Sequence, residues 1–452
     1  MALLPVKDRR IRWLRLYPAQ VFVLGFVLMI LAGALLLMLP AAQAEGEGLS
    51  FVDALFTSVS AVCVTGLVVA DTGSHFSVFG QTVILTLMQV GGLGFMAMAT
   101  LFALVFKRRI SLRERLLLQE AMNQSTMEGI VRLIRRVLIY SLVIEGAGAA
   151  LLALRWSYDM PLGQAVYFGV FHAVSLFNNA GFDLFGNYLS LTAYAGDPVV
   201  NAVGILLIVT GGLGFVVLAD LADFRVKRKL TLHSKVVLTV TGMLIGAGAL
   251  VILAFEYNNP ATLGGLNGWG KGWGALFQAV TPRTAGANTV DIAGMRQATQ
   301  FFIVILMFIG SSPGSTGGGI KTTTFAVMIG AVIAMLRGKD DIVLFRYRIG
   351  EAQVMKALTV TLLALLLIVS VSTLLSTTED APFLVLLFES TSAFATVGLS
   401  MGLTPELSTA GKLLIAFTMF AGRVGLLTLA FAIGPKRHKQ LYRHPEGKMI
   451  IG

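Results

Sequence analysis

A single cysteine, Cys63, excludes an internal disulfide and leaves no thiol cluster for a metal. It reads as a small apolar residue beside a turn. Charge is scarce as well: 13% of residues are charged against 56% hydrophobic, and the mean hydropathy is +0.80, far from the balance of a soluble domain. What charge there is leans one way, with 35 basic and 24 acidic side chains and a net charge of +11. A soluble chain so charged would suggest nucleic acid, but no basic patch interleaved with aromatics exists, so that partner is dropped. Paired catalytic carboxylates, metal-ligand spacing and a nucleophile–base constellation are missing too, which argues against an enzyme.

Long apolar runs are plentiful. Stretches that can cross a bilayer, about 20 residues each, extend over Val21 to Leu39, Val78 to Phe106, Val137 to Leu154, Val199 to Leu221, Val236 to Phe255, Phe301 to Leu336, Ala357 to Leu375 and Leu413 to Ile433. The first follows a basic stretch but is too long for a signal peptide, and Leu39-Pro40 followed by AAQAEGEG is a weak cleavage pattern. Of the 35 basic residues, 28 fall in the N-terminus, Lys107 to Arg136, Arg225 to Lys235, Arg337 to Lys356 and the tail from Lys436 to Lys448, which places those segments in the cytoplasm. The opposite connections carry Glu45, Glu47, Asp71, Glu256, Glu379 and Asp380 and few bases.

Those outer connections hold one phrase four times: LFTSVSAVCVTG at 55–66, VFHAVSLFNNAG at 170–181, LFQAVTPRTAG at 276–286 and LFESTSAFATVG at 387–398. The closing glycines, Gly66, Gly181, Gly286 and Gly398, are 115, 105 and 112 residues apart, so the chain divides into quarters. Each phrase ends a moderately apolar stretch such as Phe51 to Cys63, whose 13 residues would reach only about 20 Å as a helix. Ser50 with Asp53 resembles a capping box that would start it. Such a segment can enter the membrane but not cross it, and its glycine-containing turn has to leave on the side it entered. Irregular backbone at that depth survives only in protein or against a watery cavity, so four such turns imply a shared lumen.

The expected fold class is thus an all-α integral membrane protein of four tandem span, pore-helix, turn, span repeats. Eight full spans would stand in pseudo-four-fold symmetry around one pore, with repeats at 1–120, 121–232, 233–345 and 346–452. A ring of turns supplies backbone carbonyls that can replace the water of a monovalent cation, and glycine permits the dihedrals that aim them inward. The carbonyls expected to do so belong to Val64-Thr65-Gly66, Asn179-Ala180-Gly181, Thr284-Ala285-Gly286 and Thr396-Val397-Gly398.

These four turns and the order of segments resemble the Trk/Ktr/HKT potassium transporter superfamily over essentially the whole chain, and within it the KtrB-type membrane subunits. The resemblance implies uptake of potassium, with or without sodium dependence, across the bacterial inner membrane, with K+ (and Na+ if coupled) as cargo and no cofactor in this chain. It also implies a homodimer and a cytosolic nucleotide-binding ring of KtrA type as partner. Some plant relatives that prefer sodium are similar except for a serine at the first filter position, where this chain has Gly66.

The run from Phe301 to Leu336, 36 residues, would be about 54 Å as one helix and is too long for one crossing. It is interrupted by GSSPGSTGGG, with Gly310, Pro313, Gly314, Gly317, Gly318 and Gly319, followed by Ile320 and Lys321-Thr322-Thr323-Thr324. A phosphate-cradling loop would need the lysine directly after Gly319, and Ile320 spoils that match. The family resemblance makes 310–324 a gating loop beneath the filter; a structural kink is the other reading. Glycine clusters recur at 91–94, 211–214 and 422–425, suited to close helix packing. In the last, Arg423 lies mid-span, either a charge barrier beneath the filter, as the resemblance implies, or an ion-pair partner of Glu389. His172, at the position of Glu389 in the second phrase, is expected to bond locally. Asp71, Asp183 and Asp291 could draw cations to the mouth or simply be solvated loop charges. A secondary transporter with a central substrate site between repeats is the rival class, but it would not need four glycine turns on one side.

Overall fold

The computed structural model describes residues 18–44, 48–94 and 130–433, so the basic N-terminus, most of Lys107 to Arg136, the C-terminal tail, and Glu45 and Glu47 lie outside the described residues. One motif recurs four times: a long helix, a short helix ending in a turn, and a further helix. In chain order these are α1 (Pro18–Leu37), α2 (Phe51–Cys63), the single-turn α3 (Thr72–His75) and α4 (Val78–Leu93); then α5 (Ile130–Trp156), α6 (Leu162–Phe177), α7 (Pro198–Leu213) and α8 (Phe215–Lys227). The third set is α9 (Leu232–Glu256), α10 (Gly268–Val280), α11 (Gln297–Phe308) and α12 (Thr322–Leu336), and the fourth is α13 (Glu351–Thr378), α14 (Phe383–Ala395), α15 (Thr409–Val424) and α16 (Leu426–Ile433).

Local chemistry starts each short helix. Ser50 Oγ accepts from the backbone N–H of Asp53 at 3.2 Å, as the capping box predicts, and Asn267 Oδ1 accepts from Gly270 N at 2.7 Å. Pro161 and Pro382 stand at the N-caps of α6 and α14. The second residue of every phrase, Phe56, Phe171, Phe277 and Phe388, is fully buried and keys its helix into the bundle. Each short helix packs on the long helix before it: α2 on α1, α6 on α5, α10 on α9 and α14 on α13. The later helix of each set then packs on the next short helix, α4 on α6, α7 on α10, α11 on α14 and α15 back on α2, so the contacts close into a cycle. A 2.5 Å ion pair between Lys412 of α15 and Asp53 of α2 ties the last set to the first.

Among the described residues four helices, α1, α5, α9 and α13, are long and apolar enough to cross a membrane by themselves, and the α7–α8 pair, bent by 101°, makes a fifth candidate. Unbroken helices thus account for four of the eight full spans expected, and the remaining runs are made of shorter helices. In the second, third and fourth quarters the second run is interrupted where its glycine cluster falls, or at the 309–321 loop. Helices α4, α7 and α15 stop before Gly94, Gly214 and Gly425, whose φ values of 84°, 91° and 88° no right-handed helix can accommodate. The continuation of α4 lies outside the described residues. The all-helical expectation needs one addition: β1 (Val343–Leu344) and β2 (Tyr347–Arg348) form a hairpin whose two turn residues, Phe345 and Arg346, are both left-handed. Without the usual Asn-Gly signal it was not readable beforehand.

The glycine clusters do pack closely, as expected. A methyl on Gly91, Gly211 or Gly422 would land on the carbonyl oxygen of Val62, Phe177 or Phe394, at the end of the short helix against which each lies. Gly422→Ala is therefore expected to destabilise the detergent-solubilised protein by about 1–3 kcal/mol. Gly163→Ala, facing open space in α6, should be neutral or stabilising by up to about 1 kcal/mol. Thermal unfolding of the two variants side by side checks this.

Candidate functional site

The four short helices end at four turns of one design. In each, the first and third residues are left-handed: Val64 and Gly66 (φ 57° and 90°), Asn179 and Gly181 (58° and 72°), Thr284 and Gly286 (80° and 74°), Thr396 and Gly398 (50° and 91°). The middle residues, Thr65, Ala180, Ala285 and Val397, keep negative φ. Alternation of this kind turns successive carbonyls toward one side instead of the opposite sides of a strand. Non-glycine residues pay roughly 1–2 kcal/mol for the left-handed conformation, so something must hold each turn.

A hydroxyl does much of this. The sixth residue of each phrase is Ser60, Ser175, Thr281 or Ser392, all buried. Ser60 Oγ accepts from Gly66 N at 3.0 Å and Ser392 Oγ from Gly398 N at 3.1 Å, while Ser175 Oγ donates to Phe182 O at 2.7 Å and Thr281 Oγ1 donates to Ala287 O. Their main-chain carbonyls accept from the middle residues, for example Thr65 N to Ser60 O at 2.8 Å and Ala180 N to Ser175 O at 2.7 Å. This set was not singled out from the sequence, although each of the four phrases carries a hydroxyl residue at its sixth position.

The turns meet edge to edge. A Cβ on Gly66 would strike Ala180 O, one on Gly181 would come within 2.9 Å of Ala285 O, one on Gly286 would strike Val397 O, and one on Gly398 would strike Thr65 O. Each glycine therefore abuts the middle carbonyl of the next turn, in cyclic order, and the twelve residues singled out in the sequence come together at one place.

On one side of this ring lies a cavity of about 450 Å³ that all four glycines line, together with Asp71, Asp183 and Asp291. These acids are not merely solvated. Asp71 caps α3 through Ser74 N (3.0 Å) and accepts from Tyr188 N (3.3 Å), joining the segment after the first turn to that after the second. Asp183 is half-buried and accepts from Phe185 N at 3.0 Å; desolvation, with the nearby charge of Asp71, pushes its carboxyl up to about 7. Asp291 holds Ala293 N and Gly294 N at 3.0 and 3.2 Å. The third residue of three phrases pins the chain leaving its turn. His172 Nδ1 bonds Phe168 O (2.8 Å) and its Nε2 accepts from Leu184 N (3.4 Å), the local role expected; Gln278 bonds at Val290; Glu389 accepts from Ser400 Oγ (2.9 Å) and Thr404 Oγ1.

The opposite side is occupied by the loop between α11 and α12. Gly318 N donates to Thr396 Oγ1 at 3.0 Å, and a methyl on Gly317 would strike Thr284 Oγ1, so the loop abuts the first residues of the third and fourth turns. Gly310 and Gly319 pack against each other where the loop closes, and Ile309 bridges Ile320. Pro313 and Gly314 lie on the break between α7 and α8, where Phe215 N donates to Gly314 O at 2.9 Å. Two basic side chains clasp the loop's consecutive carbonyls. Lys321 Nζ donates to Gly317 O (2.7 Å), Gly318 O (3.2 Å) and Ser311 Oγ (3.4 Å). Its ammonium is taken up by glycine carbonyls, the reverse of a phosphate cradle. Arg423 donates to Thr316 O, Gly91 O and, at 3.1 Å, Gly92 O. The ion pair between Arg423 and Glu389 is thus not formed: the arginine's partners are main-chain carbonyls and the glutamate's are hydroxyls. A second residue missed in the sequence is Glu145, a lone acid within the run from Val137 to Leu154, buried between α5, α4 and α6.

Comparison with known proteins gives the family and the fold. Residues 19–438 match the TrkH family, described as cation transport protein. The chain is 47% identical over 446 residues to Ktr system potassium uptake protein B of Bacillus subtilis (strain 168), covering 99% of both sequences. It is 40% identical over 453 residues to the potassium/sodium uptake protein NtpJ of Enterococcus hirae, covering 99% of this chain and 100% of the other. The crystal structure of the potassium transporter TrkH from Vibrio parahaemolyticus superposes with a TM-score of 0.73 at 18% identity, covering 94% of this chain and 87% of that one, and shares the fold. The chain belongs to the TrkH family of cation transport proteins.

Proposed function

We propose that this chain is the translocating subunit of a Ktr-type potassium uptake system in the bacterial inner membrane. In this reading four span, pore-helix, filter, span repeats stand in pseudo-four-fold symmetry, and the broken second helices complete eight crossings. The observation that carries it is the cyclic contact of the four glycine turns. Carbonyls of Val64 to Gly66, Asn179 to Gly181, Thr284 to Gly286 and Thr396 to Gly398 replace the hydration shell of K+. The C-termini of α2, α6, α10 and α14 all end at the ring, and each adds the partial negative charge of a helix dipole, worth about 0.3–1 kcal/mol toward a cation. Acids of the outer cavity raise the local cation concentration.

The loop of Gly310 to Lys321 closes the path beneath the ring, with Arg423 and Lys321 both latching it and adding positive charge. Opening requires those carbonyl contacts to be given up. No nucleotide-binding unit is needed in this chain for such control: a cytosolic nucleotide-binding ring of KtrA type would act on a homodimer of this subunit, in keeping with the similarity to the Bacillus subtilis Ktr protein. Similarity to a potassium/sodium uptake protein makes sodium dependence part of the reading.

Potassium uptake in a transport-deficient cell tests it. Gly66→Ser and Gly286→Ser each place a Cβ against a neighbouring turn's carbonyl and should lower the preference for K+ over Na+ by about tenfold, a difference of ~1.4 kcal/mol; unchanged preference in both would refute the filter. Lys321→Ala and Arg423→Ala should raise unregulated flux by up to about tenfold, read as ion leak in proteoliposomes of the purified subunit. Asp183 is neutral below its pKa of about 7 and charged above it, so the KM for K+ should rise about two- to threefold as the outer pH falls from about 8 to about 6. Asp183→Asn should show the higher KM throughout and no pH dependence in that window.

A further inference from the structure

Behind the second turn, remote from the cavity, lies a polar network that nothing above uses. Glu145, 6% exposed on α5, accepts from Ser141 Oγ at 2.9 Å, from Gln89 Nε2 of α4 at 3.0 and 3.2 Å, and from Asn178 Nδ2 at 3.2 Å. Among the described residues no lysine, arginine or histidine pairs with it. A carboxyl within an apolar span is expensive and is retained for a reason; a glutamine could make as many hydrogen bonds at lower cost.

What a carboxylate supplies that an amide does not is one-sidedness, since it accepts and never donates. Both neighbouring amides must therefore turn their NH2 groups toward it. Gln89 is left with its Oε1 facing Asn178, which donates to it at 2.6 Å, and Asn178 Nδ2 also reaches Val174 O at 2.9 Å. The Asn178 amide is held in one orientation, with its oxygen against Gly92. Asn178 caps α6 and immediately precedes the left-handed Asn179, whose side chain reaches Thr284 Oγ1 of the third turn at 3.2 Å. The residues at the same place in the other turns, Cys63, Arg283 and Ala395, carry no amide, so this wall alone is oriented in this way from behind.

We propose that Glu145 is a positioning residue for ion selectivity: by orienting Gln89 and Asn178 it sets the second turn, and through Asn179 and Thr284 the spacing between the second and third walls. This rests on the filter reading above and adds to it a determinant outside the ring. Glu145→Gln keeps the volume but lets both amides flip, Glu145→Asp keeps the one-sided acceptor on a shorter arm, and Asn178→Ala removes the group being oriented.

The test is competition of Na+ with K+ uptake in a transport-deficient cell, together with the amount and thermal stability of each purified variant. Glu145→Gln and Asn178→Ala should each lower the K+ over Na+ preference at least about fivefold, Glu145→Asp should lie closer to the unaltered protein, and the Glu145→Gln/Asn178→Ala double variant should be no worse than the poorer single. A purely structural bridge would reduce protein yield, melting temperature or maximal rate and leave the preference alone; that result in Glu145→Gln and Asn178→Ala overturns the proposal. Should either variant fail to accumulate, the other decides. Unaltered protein that takes up no potassium would instead refute the functional reading on which the proposal rests, so the two failures are told apart.

Discussion

Everything in this protein answers to the contact of four glycine Cα atoms with four neighbouring carbonyls. Where one turn meets the next there is no room for a Cβ, so backbone meets backbone at each of the four joins. Backbone brought this close at membrane depth must have all its other hydrogen bonds satisfied from behind, because lipid offers none. That demand explains the buried hydroxyl at the sixth position of each phrase and the short helices that stop where they do. It also explains the cyclic packing of each later helix on the next short helix. The Lys412–Asp53 pair closes the cycle at the only join that the chain does not make in sequence order.

The same constraint shapes the other side of the ring. Breaking a helix within the membrane frees N–H and C=O groups, and the breaks are arranged to satisfy one another. Phe215 N, released at the kink after α7, takes Gly314 O from the loop, and Ser312 N takes Gly212 O. The carbonyls left over, at residues 316 to 318, face Lys321 and Arg423. These bases serve as donors to an irregular loop as much as they serve as charges. The same hydrogen bonds therefore hold the loop in place and satisfy the broken helices around it.

Much of this was legible beforehand. The 13-residue helix from Phe51 to Cys63, its Ser50 cap, the four triplets and the interruption after Phe308 all follow from composition, helix length and repetition. The breaks at Gly214 and Gly425 were not, because a glycine inside an apolar run suits helix packing and helix termination equally; the partner's backbone decides between them. Glu389 offered an obvious countercharge for Arg423, but electrostatic matching carries no distance, and hydroxyls at Ser400 and Thr404 lay nearer. Glu145 passed unnoticed within a hydrophobic run since its partners come from two other helices.

By itself, then, the sequence determined that four similar short helices each run into a glycine-containing turn, since length and repetition are local, additive properties. Only the tertiary structure decided which carbonyl each glycine abuts, where the second helices break and which polar group each buried charge meets. Those are relations between residues from 11 positions apart, as for Glu389 and Ser400, to 332, as for Arg423 and Gly91, fixed by packing at distances of a few ångströms that no one-dimensional pattern records.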